Sequence, residues 1–552
     1  MEGEPVPEPQ GLRKARGAFL TPEPIARFIA RWAIRSEGDR VLEPSCGEAA
    51  FLLAAADRKQ ALGAGFFAGE GLHGVELHHP SADAARELLR DRGVSASIEE
   101  GDFFDVEASP TYDVVIGNPP YVRYQGFGGE SRRKAQEAAL SGGVRLSGLA
   151  SSWAAFVVYA SRFLKVEGRL GLVLPGELLA VGYAAEVRRF LLQRFADVRL
   201  VMFDRLVFPG VQEEVVLLLA EGSGSATHFK VFQAGDETHL DEIKRLAWTS
   251  FAPNVEGKWT PALLTSDELA AYRDISSGDG FSDLLEWGDT NLGIVTGNNR
   301  YFTLNRTEVQ TQGIPERDLL PVSPPGSKHL RGLTYTRTAW NEMVAEDAAC
   351  YLLYPRSEEP HGSVARYIEA GETTGVHRAY KCRVRAPWWR VPLVQRPDIF
   401  FTYMDKERPR LVTNRAGVYH LNSLYGITLR RGLKRLGQDL LPVAALNSVT
   451  TLGAEVVGRA YGGGLLKLEP TEADRLPVPS PALVERTAGA LRALRPQLSV
   501  ALRNGDLSKA MKLVDRVVLI EGLGVNHDRL AALRSARETL FGRRNARATS
   551  GR

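Results

Sequence analysis

Asn118, Pro119, Pro120 and Tyr121 stand in a row after the run Asp113-Val114-Val115-Ile116-Gly117. The Asn118 side-chain oxygen and the Pro119 main-chain carbonyl are two hydrogen-bond acceptors on neighbouring residues. An exocyclic amine on a nucleic-acid base is a poor nucleophile because its lone pair is delocalised into the ring. Two acceptors that each take one amine hydrogen weaken that conjugation and favour a tetrahedral nitrogen with its lone pair free to attack. Tyr121 can stack on the same base, which must be extruded from a duplex to reach such a pocket. A purely structural Asn-Pro turn is the competing reading. Cys46 does not follow a proline directly, which disfavours attack through a cysteine, as in C5-cytosine chemistry.

A second constellation precedes the first. Val41-Leu42 leads into Glu43-Pro44-Ser45-Cys46-Gly47, a loop of small residues that lets a ligand approach the backbone, and then into an alanine-rich helix. Glu76 ends the next strand, where a carboxylate can bind both hydroxyls of a ribose. Asp102, in Gly101-Asp102-Phe103, follows a third strand and can accept from an adenine amino group. A solvent-facing helix cap is the alternative for either acid.

These residues need a scaffold that presents strand ends along one edge. From about residue 22 to 220, helical stretches alternate with short apolar strands at 41–42, 74–77, 113–116, 170–174, 198–203 and 214–220. Such alternation implies a parallel sheet with crossover helices, and the last two strands are expected to pair. The prolines after Ile116 cannot continue a central strand, so the chain turns at the sheet edge and presents Asn118 there.

The order of these motifs resembles the gamma-class N6-adenine DNA methyltransferases with an Asn-Pro-Pro-Tyr motif, including the modification enzymes of Type II restriction systems. The resemblance implies an α/β fold: a Rossmann-like S-adenosylmethionine-dependent methyltransferase domain, then a mixed α+β target-recognition domain and C-terminal helices. It implies S-adenosyl-L-methionine as cofactor, held by Thr21, Glu43, Pro44, Ser45, Cys46, Gly47, Glu76, Asp102, Phe103 and Asn118. Thr21 and Phe28 match the family's N-terminal element, which closes over the methionine part of the cofactor. Asn118, Pro119, Pro120 and Tyr121 match its catalytic motif, and Phe208 its second aromatic wall. Ala49 departs from the pattern, because the family often has glycine there.

The expected domains are residues 1–245 for catalysis, 246–480 for target recognition and 481–552 for a helical segment with a disordered tail from Arg543. Residues 378–415 contain ten Lys or Arg against three acids, interleaved with aromatics, which marks a candidate DNA surface. Arg378, Lys381, Arg383, Arg385 and Arg390 are its expected DNA-binding residues. A solvated loop over an aromatic core is the alternative. Two glycine-containing turns, 293–302 and 458–464, resemble those with which target-recognition domains meet phosphates.

The net charge of +3 does not by itself mark a nucleic-acid binder. Three scattered cysteines and ten histidines form no metal-binding pattern, and no apolar run is long enough to span a bilayer. The expectation is a cytoplasmic, nucleoid-associated monomer acting on double-stranded DNA, alongside a separate cognate restriction endonuclease and without a fused nuclease. Competing functions are N4-cytosine methylation, protein-glutamine or ribosomal-RNA methylation, and a non-catalytic specificity protein. A nicotinamide dehydrogenase is disfavoured, since Glu48-Ala49 supplies no glycine-rich pyrophosphate loop.

Overall fold

The computed structural model describes residues 21–63, 69–123, 125–208, 214–240, 248–253, 257–461 and 464–549. The acidic start of the chain, Pro209 to Val211 beyond Phe208, and Gly462-Gly463 lie outside these residues. Two compact units divide the chain: residues 1–263 with 545–552, and residues 264–544.

The first unit is built on a nine-stranded sheet. Its strands are β1 (Val41–Glu43), β2 (Leu72–Glu76), β3 (Ser97–Glu100), β4 (Tyr112–Gly117), β5 (Leu164–Pro175), β6 (Phe195–Phe203), β7 (Val215–Ser223), β8 (Phe229–Ala234) and β9 (Thr249–Phe251). Their order is β3-β2-β1-β4-β5-β7-β6-β8-β9. The first five run parallel. β7 enters antiparallel between β5 and β6, so the expected pairing of the two late strands holds. β4 and β7 are apolar runs without alternation because both their faces are covered. β8 and β9, which carry the sheet beyond residue 223, are too short for their alternation to stand out in the sequence.

Helix α1 (Glu23–Ala33) buries Ile25, Phe28 and Ile29, and α2 (Ala50–Ala61) buries Phe51 and Leu52 in the same core. Gly171 on β5 is where α1 meets the sheet: a β-carbon there would lie 2.5 Å from the Ile29 side chain. Reversal of strand order around β1 and β4 brings the carboxyl ends of β1, β2 and β4 to one edge, where open α/β sheets bind ligands.

The second unit carries a five-stranded sheet, two three-stranded sheets and one two-stranded sheet among the described residues. Phe400 and Phe401 sit fully buried in the central strand Ile399–Phe401. The C-terminal chain is helical, as its leucine spacing implies, and the expected disorder from Arg543 is corrected for residues 543–549, while 550–552 lie outside the described residues. The last helix runs His527–Thr549, and Arg543 and Arg544 are buried. Arg544 pairs with Glu455 at 2.7 Å, and a buried guanidinium with a carboxylate partner keeps that stretch ordered. No single helix among the described residues is long and apolar enough to cross a membrane.

Candidate active site

The loop after β1 takes its shape from two left-handed residues, Gly47 at φ 51° and Ala49 at φ 63°. Glycine adopts that conformation freely, whereas alanine pays for it with strain between its β-carbon and the backbone. Nothing lies within 4 Å of a β-carbon built on Gly47, so this face of the loop is open to a ligand. Ala49 is fully buried, and the packing of its methyl among α1 and α2 residues offsets part of the strain.

Glu76, at the end of β2, faces this loop. Its two carboxylate oxygens accept the Gly47 and His78 backbone N–H groups, each at 2.8 Å. Each oxygen keeps a lone pair for a further donor. Glu43 is different: it is 2% exposed and accepts the Leu52 N–H at 3.1 Å, anchoring the start of α2. Burial pushes its carboxyl well above the ordinary range. Cys46 is likewise buried, with its sulfur packed over Gly74, and burial raises its thiol too. Of this loop, Ser45 and Gly47 are part-exposed while Pro44 is buried.

At the end of β4 the Asn118 amide is held from both sides. Its Nδ2 donates to Thr21 Oγ1 at 3.1 Å, and its Oδ1 accepts from the Tyr121 hydroxyl at 2.7 Å. The same hydroxyl lies 3.0 Å from the Val173 carbonyl on β5. Ser45 Oγ donates to the Asn118 carbonyl at 3.4 Å, tying the β1 loop to the β4 loop. Thr21, Ser45, Asn118 and Tyr121 therefore meet, although up to 100 positions separate them.

The Eco57I restriction-modification methylase family matches residues 76–208, spanning Glu76 and the Asn118 loop. The C-terminal domain of the Type II methyltransferase M.Eco57I matches residues 256–519, and the two matches together cover most of the chain. The chain belongs to the Eco57I-type restriction-modification methylases. Similar proteins include the Type II methyltransferase M.XamI of Xanthomonas campestris pv. amaranthicola, 26% identical across 86% of this chain and 87% of that one. M.AccI of Acinetobacter calcoaceticus is 23% identical across 84% and 85%. The fold is shared with the Type IIL restriction-modification enzyme MmeI, at a TM-score of 0.57 and 11% identity, covering 91% of this chain and 73% of that one.

As an Eco57I-type methylase the protein is a DNA methyltransferase whose cofactor is S-adenosyl-L-methionine. The residues present fit that cofactor: an open glycine turn lies beside a carboxylate that is pinned by backbone donors and still able to accept from two hydroxyls.

The structure gives several of the candidate side chains structural contacts as well. Asp102 Oδ1 caps a short 3₁₀ turn through the Phe104 N–H at 3.0 Å. Phe103 is 3% exposed, its ring packed against Phe156, Tyr159 and Phe163, so it supports the turn from below. Leu77, which sequence reasoning missed, is 70% exposed immediately after Glu76. An apolar residue directly after a strand-ending acid was the available signal. Phe208 is buried in the core cluster against which Tyr121 packs.

In the second unit the expected DNA surface divides. Arg378, Lys381 and Arg383 are exposed, with the last two over the ring of exposed Tyr380. Arg385 instead donates to the Val295 and Thr296 carbonyls at 2.8 and 2.7 Å, and burial lowers its pKa. Arg390 pairs with Glu358 at 3.4 Å, Arg410 with Asp405 at 2.7 Å, and Arg408 is buried against the Pro409 carbonyl. Three of the six interleaved aromatics, Trp389, Phe400 and Phe401, are buried. Loop-rich backbone leaves carbonyls without sheet partners, and these cations satisfy several of them. Gly293 also serves packing: a β-carbon there would fall 2.2 Å from the Leu421 carbonyl oxygen.

Proposed function

We propose that this methylase transfers a methyl group to N6 of an adenine extruded from duplex DNA. The observation that carries the reading is the Asn118 amide, fixed by Tyr121 and Thr21 at the carboxyl end of β4, on the sheet edge where Glu76 ends β2. An amide so held is pre-oriented as an acceptor, so no reorganisation is needed when the amine arrives.

When bound, S-adenosyl-L-methionine supplies a methyl group activated by its sulfonium. Glu76 binds the ribose hydroxyls, the turn at Ser45 and Gly47 admits the ligand against backbone, and Leu77 gives the adenine ring an apolar face. Asn118 Oδ1 and the Pro119 carbonyl each accept one hydrogen of the target amine. The lone pair, no longer conjugated with the ring, would form the new N–C bond as the methyl group's bond to sulfur breaks, its electron pair staying on sulfur as a neutral thioether, and one amine proton would leave to solvent. Tyr121 stands three residues after Asn118 and packs against the core cluster that holds Phe208, and these two rings would flank the target base. In the family resembled, asparagine at position 118 goes with adenine, and serine marks the N4-cytosine class.

Exposed Arg378, Lys381 and Arg383 give the second unit cations for phosphate contact. The test is transfer of labelled methyl groups to duplex DNA by the wild type and by Asn118→Ala. The wild type is expected to label DNA, and Asn118→Ala to lose the activity by at least about a hundredfold while retaining cofactor binding. Wild-type turnover by Asn118→Ala contradicts the mechanism.

A further inference from the structure

Pro119 and Pro120 bring a difficulty with the chemistry they support. Neither has an N–H, so the backbone beside the reacting amine has no donor of its own to hold it in place. Asn118 is fixed on the amino side of this pair. On the carboxyl side, three hydrogen bonds converge on one residue 30 positions beyond Val122. Ser152 Oγ donates to the Pro120 carbonyl and accepts the Val122 N–H at 2.9 Å, while the Ser152 N–H donates to the Val122 carbonyl at 3.0 Å.

Ser152 is 2% exposed, and its neighbours are held in turn. Ser151 Oγ and Trp153 Nε1 lie 3.4 and 3.2 Å from Glu177 Oε2, just after β5, and Trp153 Nε1 is 3.0 Å from the Tyr183 hydroxyl. Residues 151–153 thus bracket the loop after β4 to the end of β5.

We propose that Ser152 is a positioning residue for methyl transfer, its hydroxyl setting the Pro119–Tyr121 backbone so that the Pro119 carbonyl meets the second hydrogen of the target amine. This rests on the amine-methylation reading above. One hydroxyl is suited to the task because it donates and accepts at once, matching a carbonyl and an N–H two residues apart.

Single-turnover methyl transfer to duplex DNA by the wild type, Ser152→Ala, Ser152→Cys and Ser152→Thr tests the proposal, with cofactor and DNA affinities measured separately. Ser152→Ala is expected to slow transfer about tenfold or more, with both dissociation constants within about twofold of wild type. Ser152→Thr, which keeps the hydroxyl, should recover most of the rate. Ser152→Cys, close to serine in size but a weak hydrogen-bonding group, should resemble Ser152→Ala, and it decides the matter if the alanine variant does not fold. Wild-type rates in Ser152→Ala or Ser152→Cys overturn the proposal, as does a rate loss that only follows lost affinity, or threonine no better than alanine. A wild type that methylates no DNA overturns instead the reading beneath it, and is told apart because that failure precedes any comparison of variants.

Discussion

The Tyr121 hydroxyl lies 2.7 Å from Asn118 Oδ1 and 3.0 Å from the Val173 carbonyl, so one phenol links the Asn118 amide to the neighbouring strand. Tyr121 therefore has a polar task besides any stacking. Tyr121→Phe keeps the ring and removes only this link. A hydrogen bond of this kind contributes roughly 0.5–1.5 kcal/mol, so turnover is expected to fall between about two- and tenfold with cofactor affinity unchanged. Steady-state kinetics and calorimetry check this, and an unaltered turnover number would show that Asn118 needs no such support.

Ala49 offers a stability test of the cofactor loop. Its left-handed backbone costs an alanine about 1–2 kcal/mol, while burial of its single methyl returns about 0.8 kcal/mol. Ala49→Gly is expected to be neutral or to stabilise by up to about 1 kcal/mol, unlike the usual loss at a buried alanine. Denaturant unfolding decides it, and destabilisation by about 1 kcal/mol or more would mean that packing outweighs strain.

Arg383 and Arg385 are two positions apart and should behave oppositely. Arg383 is exposed, so Arg383→Ala should leave the unfolding midpoint unchanged and reduce the salt dependence of DNA binding by about one ion equivalent. Arg385→Ala removes two bonds to main-chain carbonyls and should destabilise the fold by roughly 1–3 kcal/mol with the salt slope retained. Binding titrations at several salt concentrations, paired with urea melts, would refute the division if the two variants traded these effects.

Acid should weaken the second unit through two histidines. Burial pushes both His329 and His420 down to about 4. An unfolded histidine titrates near 6.5, so the unfolded chain takes up protons between about pH 6.5 and 4 that the folded chain refuses. Their contribution is complete above about pH 6.5 and is lost as pH falls toward 4, at up to about 1.4 kcal/mol per pH unit for each ring. The buried carboxyls Glu43 and Asp515 are raised and act in the opposite sense, so the informative comparison is wild type against His329→Gln. Urea midpoints at pH 7, 6 and 5 should fall less steeply in the variant; equal slopes would remove His329 from the account.

The strand ends that carry Glu76 and Asn118 were legible in the sequence because each part is local. An apolar strand followed by Asn118-Pro119-Pro120-Tyr121, or a strand ending in Glu76, declares both its element and its position. Side-chain direction was not legible. Nothing in the order Asp102-Phe103-Phe104 says that the first ring turns into an aromatic cluster, and exposed Leu77 differs from a core leucine only in what packs around it. The cations of 378–415 were read as one surface because charge is visible in sequence, whereas the carbonyls that capture Arg385 belong to Val295 and Thr296, about 90 residues earlier. Ser152 escaped for the same reason: its partners are made by tertiary structure.

The central claim, methylation of an adenine amine, is tested most directly by the modified base itself. Duplex DNA incubated with the protein and S-adenosyl-L-methionine, digested to nucleosides and analysed by mass spectrometry, should contain N6-methyladenine as the new methylated species. N4-methylcytosine as the only product would contradict the choice of base and leave amine activation by Asn118 standing. DNA carrying no methylated amine would contradict the account as a whole.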